Sequence, residues 1–525
     1  MRDFHSPGRS EVFGQNGMCA TSHPLAAQAA IGVLRQGGNA MDAAIAGAVL
    51  LGICEPQMTG IGGDCFALFS PAGSDEILAH NGSGTAPKNS SAAALRAKGH
   101  VAVPTHSADA VTIPTAVAAF CKLSEEWGKL GLEAILAPAI DYAETGVPVA
   151  PRVAHDWTNA AQFLQGNARS HYLIDGAPAN TGAIFRAPGQ ARVLRRIAQQ
   201  GHDGFYCGEV ADDMVQSLQA LGGVHTLEDF ETAASFATTP ISGRYKTRIL
   251  FEHPPNGQGA TAILLLNILS HFDIASMDPF GAMRAHIETE ATKLAYDTRN
   301  RFMADPNHTT RLDHMLSEGL AKQLAALIDP KNAMTPTTSL AEDVHKDTVY
   351  ITVVDQDRMA VSLIYSIFHS FGSGIASDKF GILFQNRGAG FSLQEGHPNM
   401  LAAGKRPMHT IIPGMLADAG KPIMPFGVMG GQYQSTGHAR LISNMLDFGL
   451  SPQAAIDAPR CFFENGKLNI ERGYAANVMQ TLETMGHDIT VPESPIGGAQ
   501  SITIHQNGVL EGASDPRKDG CALGY

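Results

Sequence analysis

Apolar residues recur at helical spacing through residues 24–52, "PLAAQAAIGVLRQGGNAMDAAIAGAVLLG", and the pattern breaks at Gly37-Gly38. A glycine-rich turn, "MTGIGGD", and a short apolar strand, "CFALFS", come next. Residues 114–147 return to helical spacing, with a break expected at Pro138 in "LAPAIDYAETGVP". "QARVLRRIAQQG" and "GEVADDMVQSLQALGG" predict amphipathic helices ended by glycine, and "AHIETEATKLAYDTRNRFMADP" predicts a third. "PPNGQGATAILLLNIL" opens a further helix on Gly257 and Gly259, which points to tight packing at its start. The period then changes. In "KDTVYITVVDQDRMAVSLIYSIF" two alternating runs flank Asp355-Gln356-Asp357-Arg358, the pattern of a β-hairpin. A helix over 435–449 and a strand, "AQSITIHQNG", follow. Residues 330–344, "PKNAMTPTTSLAEDV", carry Pro, Thr, Ser and Asn without an apolar period and read as a linker that stops just before the hairpin. There is no internal repeat. Helices and strands in separate runs with long connections predict a layered α+β architecture.

Composition narrows the class. At 525 residues the chain is long enough for two or three lobes, and 44% apolar against 17% charged residues describes a folded interior. A net charge of −13 argues against a general nucleic-acid partner. The most apolar stretch, "AMDAAIAGAVLLGICEP", carries Asp42 and ends at Glu55-Pro56, so it reads as a buried helix and no membrane partner is expected. The first residues lack the basic-then-apolar layout of a secretory signal. Seven cysteines without a CxxC suit reduced thiols in a cytoplasm and give no zinc-ligand spacing.

The chemistry gathers at the hairpin. Depending on turn length, Thr348 at the start of the first strand lies opposite Tyr365 or Ser366, so two hydroxyls fall within about one residue of register. A threonine hydroxyl is a poor nucleophile without a base. A cut between Asp347 and Thr348 creates an α-amine on the same residue, with a pKa of about 7.7–8.0, able to take the hydroxyl proton. "VMGGQYQ" offers a partner: Gly430-Gly431, between an apolar strand and a helix, can present consecutive N–H groups to an oxyanion, though a turn needing positive φ explains the pair equally well. "TGIGGD" lacks the Lys-Ser/Thr of a phosphate loop and follows a helix, so nucleotide binding is not expected. There is no HExxH and no GxSxG.

With these residues in view, the sequence resembles the γ-glutamyltranspeptidase family of N-terminal-nucleophile hydrolases. The resemblance runs over nearly the whole chain, through "HPLAAQAAIGVLRQGGNAMDAAIA", "GIGGDCFALF", "APAIDYAETGVPV", "GFYCGEVADDM", "HPPNGQGATAILLLNIL", "DTVYITVVDQDRMAVSLIYSIFHSFGSGI", "GKRPMHTIIP", "MGGQYQ" and "LSPQAAIDAPR". It implies a four-layer αββα sandwich and a proenzyme that cuts itself before Thr348. The products are a large subunit, 1–347, ending in a mobile linker from about 330, and a small catalytic subunit, 348–525. It also implies Thr348 as nucleophile, with its α-amine as base, Ser366 as the hydroxyl that orients it, and Gly430 and Gly431 as the oxyanion hole. No cofactor or metal is required, and a dimer of processed heterodimers is compatible with the resemblance.

The recognition half departs from the family. Where its γ-glutamyl-binding members carry "D-x-R-E-x-A-P", this chain has "NGSGTAP", with Ser83 in the arginine's place. Phe368 stands for an asparagine, Gly390 for an acidic residue, and His409-Thr410 for a pair of serines. Without those charges a zwitterionic glutamyl head group loses its partners. The divergent stretches resemble the branch containing oxamate amidohydrolases and cephalosporin-acylase-like proteins. Candidate substrate-binding residues are Phe368, His369, Arg387, His409, Thr410, Gln432 and Ser83. Arg387 either pairs with a substrate carboxylate or ties down its own loop, and His369 and His409 are either contacts to substrate or structural histidines. A small, oxamate-like amide is the expected substrate. The alternatives are a γ-glutamyl hydrolase with altered recognition, a cephalosporin or glutaryl acylase using Phe368, Tyr365 and Tyr433 as apolar contacts, and a non-catalytic metabolite-binding homologue.

Overall fold

The computed structural model describes residues 8–335 and 348–525. Asp347 and the remainder of the expected linker after 335 lie outside the described residues. Two seven-stranded sheets face one another. One runs Val12–Gly14, Leu510–Ser514, Gly498–Ile504, Lys421–Met429, Gly414–Asp418, Arg248–Glu252, Ile241–Tyr245. The other runs Cys521–Gly524, Met18–Thr21, Val349–Val354, Ala360–Ser366, Asp64–Ser70, Leu78–Gly82, Phe236–Thr238.

Side-chain alternation assembles the layers. On the second sheet Val349, Ile351, Val353, Val361, Leu363 and Tyr365 pack with helices Pro24–Arg35 and Ala40–Cys54 into the largest apolar cluster. The even-numbered positions turn the other way: Val354, Ala360 and Leu68 meet Met415, Ala417 and Ile502 of the first sheet. Leu416, Phe426 and Val428 on that sheet's outer side pack against helices Gly259–Leu269 and Gln434–Phe448. The result is the expected helix–sheet–sheet–helix sandwich. Both inner helices of the first layer are fully apolar where they touch the sheet; Ala40–Cys54 is buried along its whole length and starts on an Asn39–Asp42 capping box.

Two expectations change. Length alone suggests separate lobes, but each sheet mixes strands from before and after residue 348, so the chain forms one interleaved body. Pro138 does not break its helix, which runs from Leu132 to Thr145; the break falls at Gly128–Gly131, after helix Ala116–Trp127. Gly131 at φ 76 supplies the left-handed turn there. Of the expected linker, the described part up to Thr335 is anchored: Ala333 N–H donates to Met485 O at 2.7 Å and Met334 N–H to Glu290 Oε2 at 2.9 Å.

Candidate active site

The hairpin pairs Val349 with Tyr365 and Val354 with Ala360, which is the longer-turn alternative and brings Thr348 level with Ser366. Next door, Ser366 pairs with Asp64. Thr348, Ser366 and Asp64 therefore form a row across three adjacent strands, all at even-numbered positions turned toward the opposite sheet, and all fully buried. Thr348 Oγ1 lies 3.5 Å from Ser366 Oγ, which also accepts the Phe368 N–H at 2.9 Å. That second bond holds Phe368 at φ 79, a left-handed conformation that a residue with a bulky side chain adopts only under local constraint.

A small apolar cluster between the sheets, Phe66, Tyr350, Ile364, Ile411 and Met429, brings the remaining parts to the same end of the sandwich. Each member lies one or two residues from a candidate: Asp64, Thr348, Ser366, Thr410 and Gly430. Gly430 follows the strand ending at Met429 and has φ 120; a Cβ there would sit 2.7 Å from Gly497 Cα, so only glycine fits. Its carbonyl accepts the Tyr433 N–H at 3.0 Å, and the Gly431 carbonyl accepts the Gln258 amide at 3.4 Å. Those bonds fix both peptide planes just ahead of the helix Gln434–Phe448, whose N-terminal dipole favours negative charge. Gln258 also donates to Thr410 O at 2.6 Å, coupling the glycine turn to the segment bearing His409 and Thr410.

Arg387 is fully buried, 3.3 Å from Thr410 Oγ1, with its guanidinium carbon 4.2 Å from the Phe368 ring centroid. Asp64 Oδ2 stands 3.9 Å from Arg387 Nε and 3.6 Å from His409 Nε2. Burial pushes the Asp64 carboxyl up to about 7, against the pull of Arg387 and of the groups at Gly84, Gln385 and Thr115. Burial likewise drives the His409 imidazole well below its usual value, reinforced by Arg387, His253 and Arg406, so it is neutral. Asp64 is the residue that sequence reasoning passed over. It ended a glycine turn judged only as a phosphate loop, whereas its place at the first position of an apolar strand ("GGDCFALF") was the available signal.

Other candidates turn out to be braced by their neighbours. The Ser83 hydroxyl donates to Asn81 Oδ1 at 2.6 Å and lies 3.1 Å from Asn256 Nδ2. Gln432 Oε1 accepts from Arg299 at 2.5 Å, and its carbonyl accepts the Tyr296 hydroxyl. His369 is partly exposed, its N–H donating to Asn386 Oδ1 at 3.1 Å and its ring edge-on to Phe368. Tyr365 and Tyr433 do not supply apolar contacts to the Thr348 face. Tyr365 is odd-numbered on its strand and packs on Phe120 among the helices, while Tyr433 packs on Phe462 on the far side of its sheet. Among the described residues one group, His286, Glu290 and His487, has metal-ligand spacing. Its donors are engaged within the chain: His286 Nδ1 to His487 Nε2 and Nε2 to Asp329 O, both at 2.8 Å, and Glu290 Oε1 to Lys293 at 2.7 Å.

The family model described as gamma-glutamyltranspeptidase matches residues 26–525. The chain belongs to the γ-glutamyltranspeptidase family. It is 34% identical to the glutathione hydrolase-like YwrD proenzyme of Bacillus subtilis, over 98% of this chain and 99% of that one. To the oxamate amidohydrolase proenzyme of Klebsiella pneumoniae it is 33% identical, over 97% and 98%. A cephalosporin acylase from Bacillus halodurans superposes with a TM-score of 0.92 at 37% identity, covering 100% of this chain and 99% of that one. As a γ-glutamyltranspeptidase-family hydrolase of the N-terminal-nucleophile fold, the chain is a proenzyme. No helix among the described residues is long and apolar enough to cross a membrane.

Proposed function

We propose that this family member cuts itself before Thr348 and then hydrolyses a small, carboxylate-bearing monoamide of the oxamate type through an acyl-enzyme on Thr348. The observation that carries the reading is the row Thr348–Ser366 facing the sheet gap beside the constrained Gly430-Gly431 turn. The freed α-amine takes the Thr348 hydroxyl proton, Ser366 orients the hydroxyl, and the N–H groups of Gly430 and Gly431 receive the charge that develops on the carbonyl oxygen. As the C–N bond breaks, the α-ammonium passes its proton to the departing ammonia, and a water deprotonated by the same amine then cleaves the ester and releases the acid. Arg387 pairs with the substrate carboxylate, flanked by Thr410, Phe368 and His409.

Two features favour a small substrate. Ser83, where γ-glutamyl-binding members carry arginine, is engaged by Asn81 and Asn256 and offers no charge. Tyr365 and Tyr433 face away, removing the apolar wall that a bulky acyl group needs. Among the relatives, the one named oxamate amidohydrolase supports the reading, while the cephalosporin acylase keeps a larger acyl group as the second reading. The test is intact mass of the denatured protein after incubation near neutral pH, followed by turnover of oxamate, a γ-glutamyl anilide and a glutaryl amide. Two chains, the smaller beginning at Thr348, with oxamate turned over best, is the expected result. A single uncut chain, or preference for the glutaryl amide, overturns it.

A further inference from the structure

Asp64 does more at this site than neutralise Arg387. Its Oδ1 is fixed by the Gly84 N–H at 3.1 Å and the Thr115 hydroxyl at 3.3 Å. Its Oδ2 is wholly buried and makes no hydrogen bond of ordinary geometry, although Arg387 and His409 both face it. The His409 ring nitrogens are likewise buried without a hydrogen-bond partner. A carboxylate oxygen left this way next to two donors is poised for a group that arrives with the ligand.

We propose that Asp64 makes the carboxylate subsite proton-coupled: an anionic substrate enters beside Arg387 together with one proton from solvent, which is held on Asp64 Oδ2 and donated to the substrate carboxylate. This rests on the carboxylate reading of the substrate given above. The reason is charge. With Asp64 ionised, Arg387 is already matched, and a second carboxylate beside that pair is repelled by the first; a shared proton turns that repulsion into a hydrogen bond. Other groups cannot carry the proton. His409 is held neutral by burial and by Arg387. Arg406, the other charged group facing Asp64, is a cation whose N–H donates to Ser83 O at 3.0 Å. Cys65 on the same strand and Tyr206 from helix Asp203–Tyr206 are both pushed well above their usual values and stay neutral. The carboxyl of Asp64, raised to about 7, loses its proton within the working range.

The experiment uses the processed wild-type enzyme and oxalate as a non-hydrolysable probe, by calorimetry in two buffers of different ionisation enthalpy. Proton uptake on binding should be about half a proton at pH 7 and about nine-tenths at pH 8, with affinity falling roughly tenfold per pH unit above that. Asp64→Asn keeps an oxygen for Gly84 and Thr115 and should bind oxalate with no proton uptake and no such pH dependence. Oxalate binding to wild type without proton uptake overturns the proposal whether or not the variant folds. If wild type hydrolyses an uncharged amide but binds no oxalate, the carboxylate reading itself fails and the proposal falls with it.

Discussion

In the proposed function Thr348 carries two tasks on one hydroxyl, self-cleavage and turnover, and its replacement separates them from the fold. Thr348→Ala is expected to give one full-length chain with a Tm near wild type and activity lower by on the order of 10⁴-fold or more. Thr348→Ser keeps a hydroxyl and should still cut, more slowly; a time course of intact mass distinguishes the two. The facing hydroxyls of Thr348 and Ser366 were readable to within one residue of register, because the strand period leaves only the turn length to choose between Tyr365 and Ser366. Arg387 was readable as a charge, but its burial was not. Asp64 was marked in the sequence only by its place at the head of an apolar strand, with nothing local to tie it to the site. It lies hundreds of residues from Arg387 and His409 in sequence, and only the pairing of its strand with Ala360–Ser366 brings them within 4 Å.

The elements that hold the row in place are short glycine turns, and their tolerance is uneven. A Cβ on Gly63 would come 2.4 Å from the Ser366 carbonyl oxygen and 3.0 Å from its carbon, both backbone atoms that cannot step aside. Gly63→Ala should therefore cost about 1–3 kcal/mol and slow self-cleavage, because the strain is delivered to the residue beside Thr348. Gly60, in the same turn, has open space around its missing Cβ, so Gly60→Ala serves as the control and should cut at the wild-type rate. Thermal melts and cleavage time courses of the two variants check this. The sequence marked the turn by its glycines but not its purpose, since composition alone does not say which backbone a turn must approach. Pro138 shows the opposite case: a strong local breaker sits inside the helix Leu132–Thr145, whose Ile135, Leu136 and Ala139 are buried in the first apolar cluster, so packing overrides propensity.

At the scale of the molecule, a layered α+β fold was legible from the separate runs of helix and strand and its four layers from the family resemblance, whereas the interleaving was not legible, because strand order across a sheet leaves no local trace. Since both sheets mix strands from either side of residue 348, the two chains should stay together after cleavage. Native mass should remain near 55.5 kDa, or a multiple of it, while denaturation separates two species. The His286–His487 contact joins helix Ala282–Phe302 of the first part to the loop after helix Ala476–Thr484 of the second. Burial, with Lys293 and His286, lowers the His487 imidazole to about 4. The unfolded chain thus binds more protons between about 4 and 6.5, so this residue's contribution is whole above about 6.5 and fades as pH falls toward 4. Tm measured across that window should drop less in His487→Gln than in wild type. The interleaving also changes how the protein can recover from damage. Before the cut, the chain regains its sheets by a first-order reaction on its own. Afterwards every strand exchange across residue 348 needs a second molecule, so renaturation becomes concentration-dependent and an unfolded enzyme in dilute solution is lost. One cleaved peptide bond thereby turns an equilibrium into a lifetime.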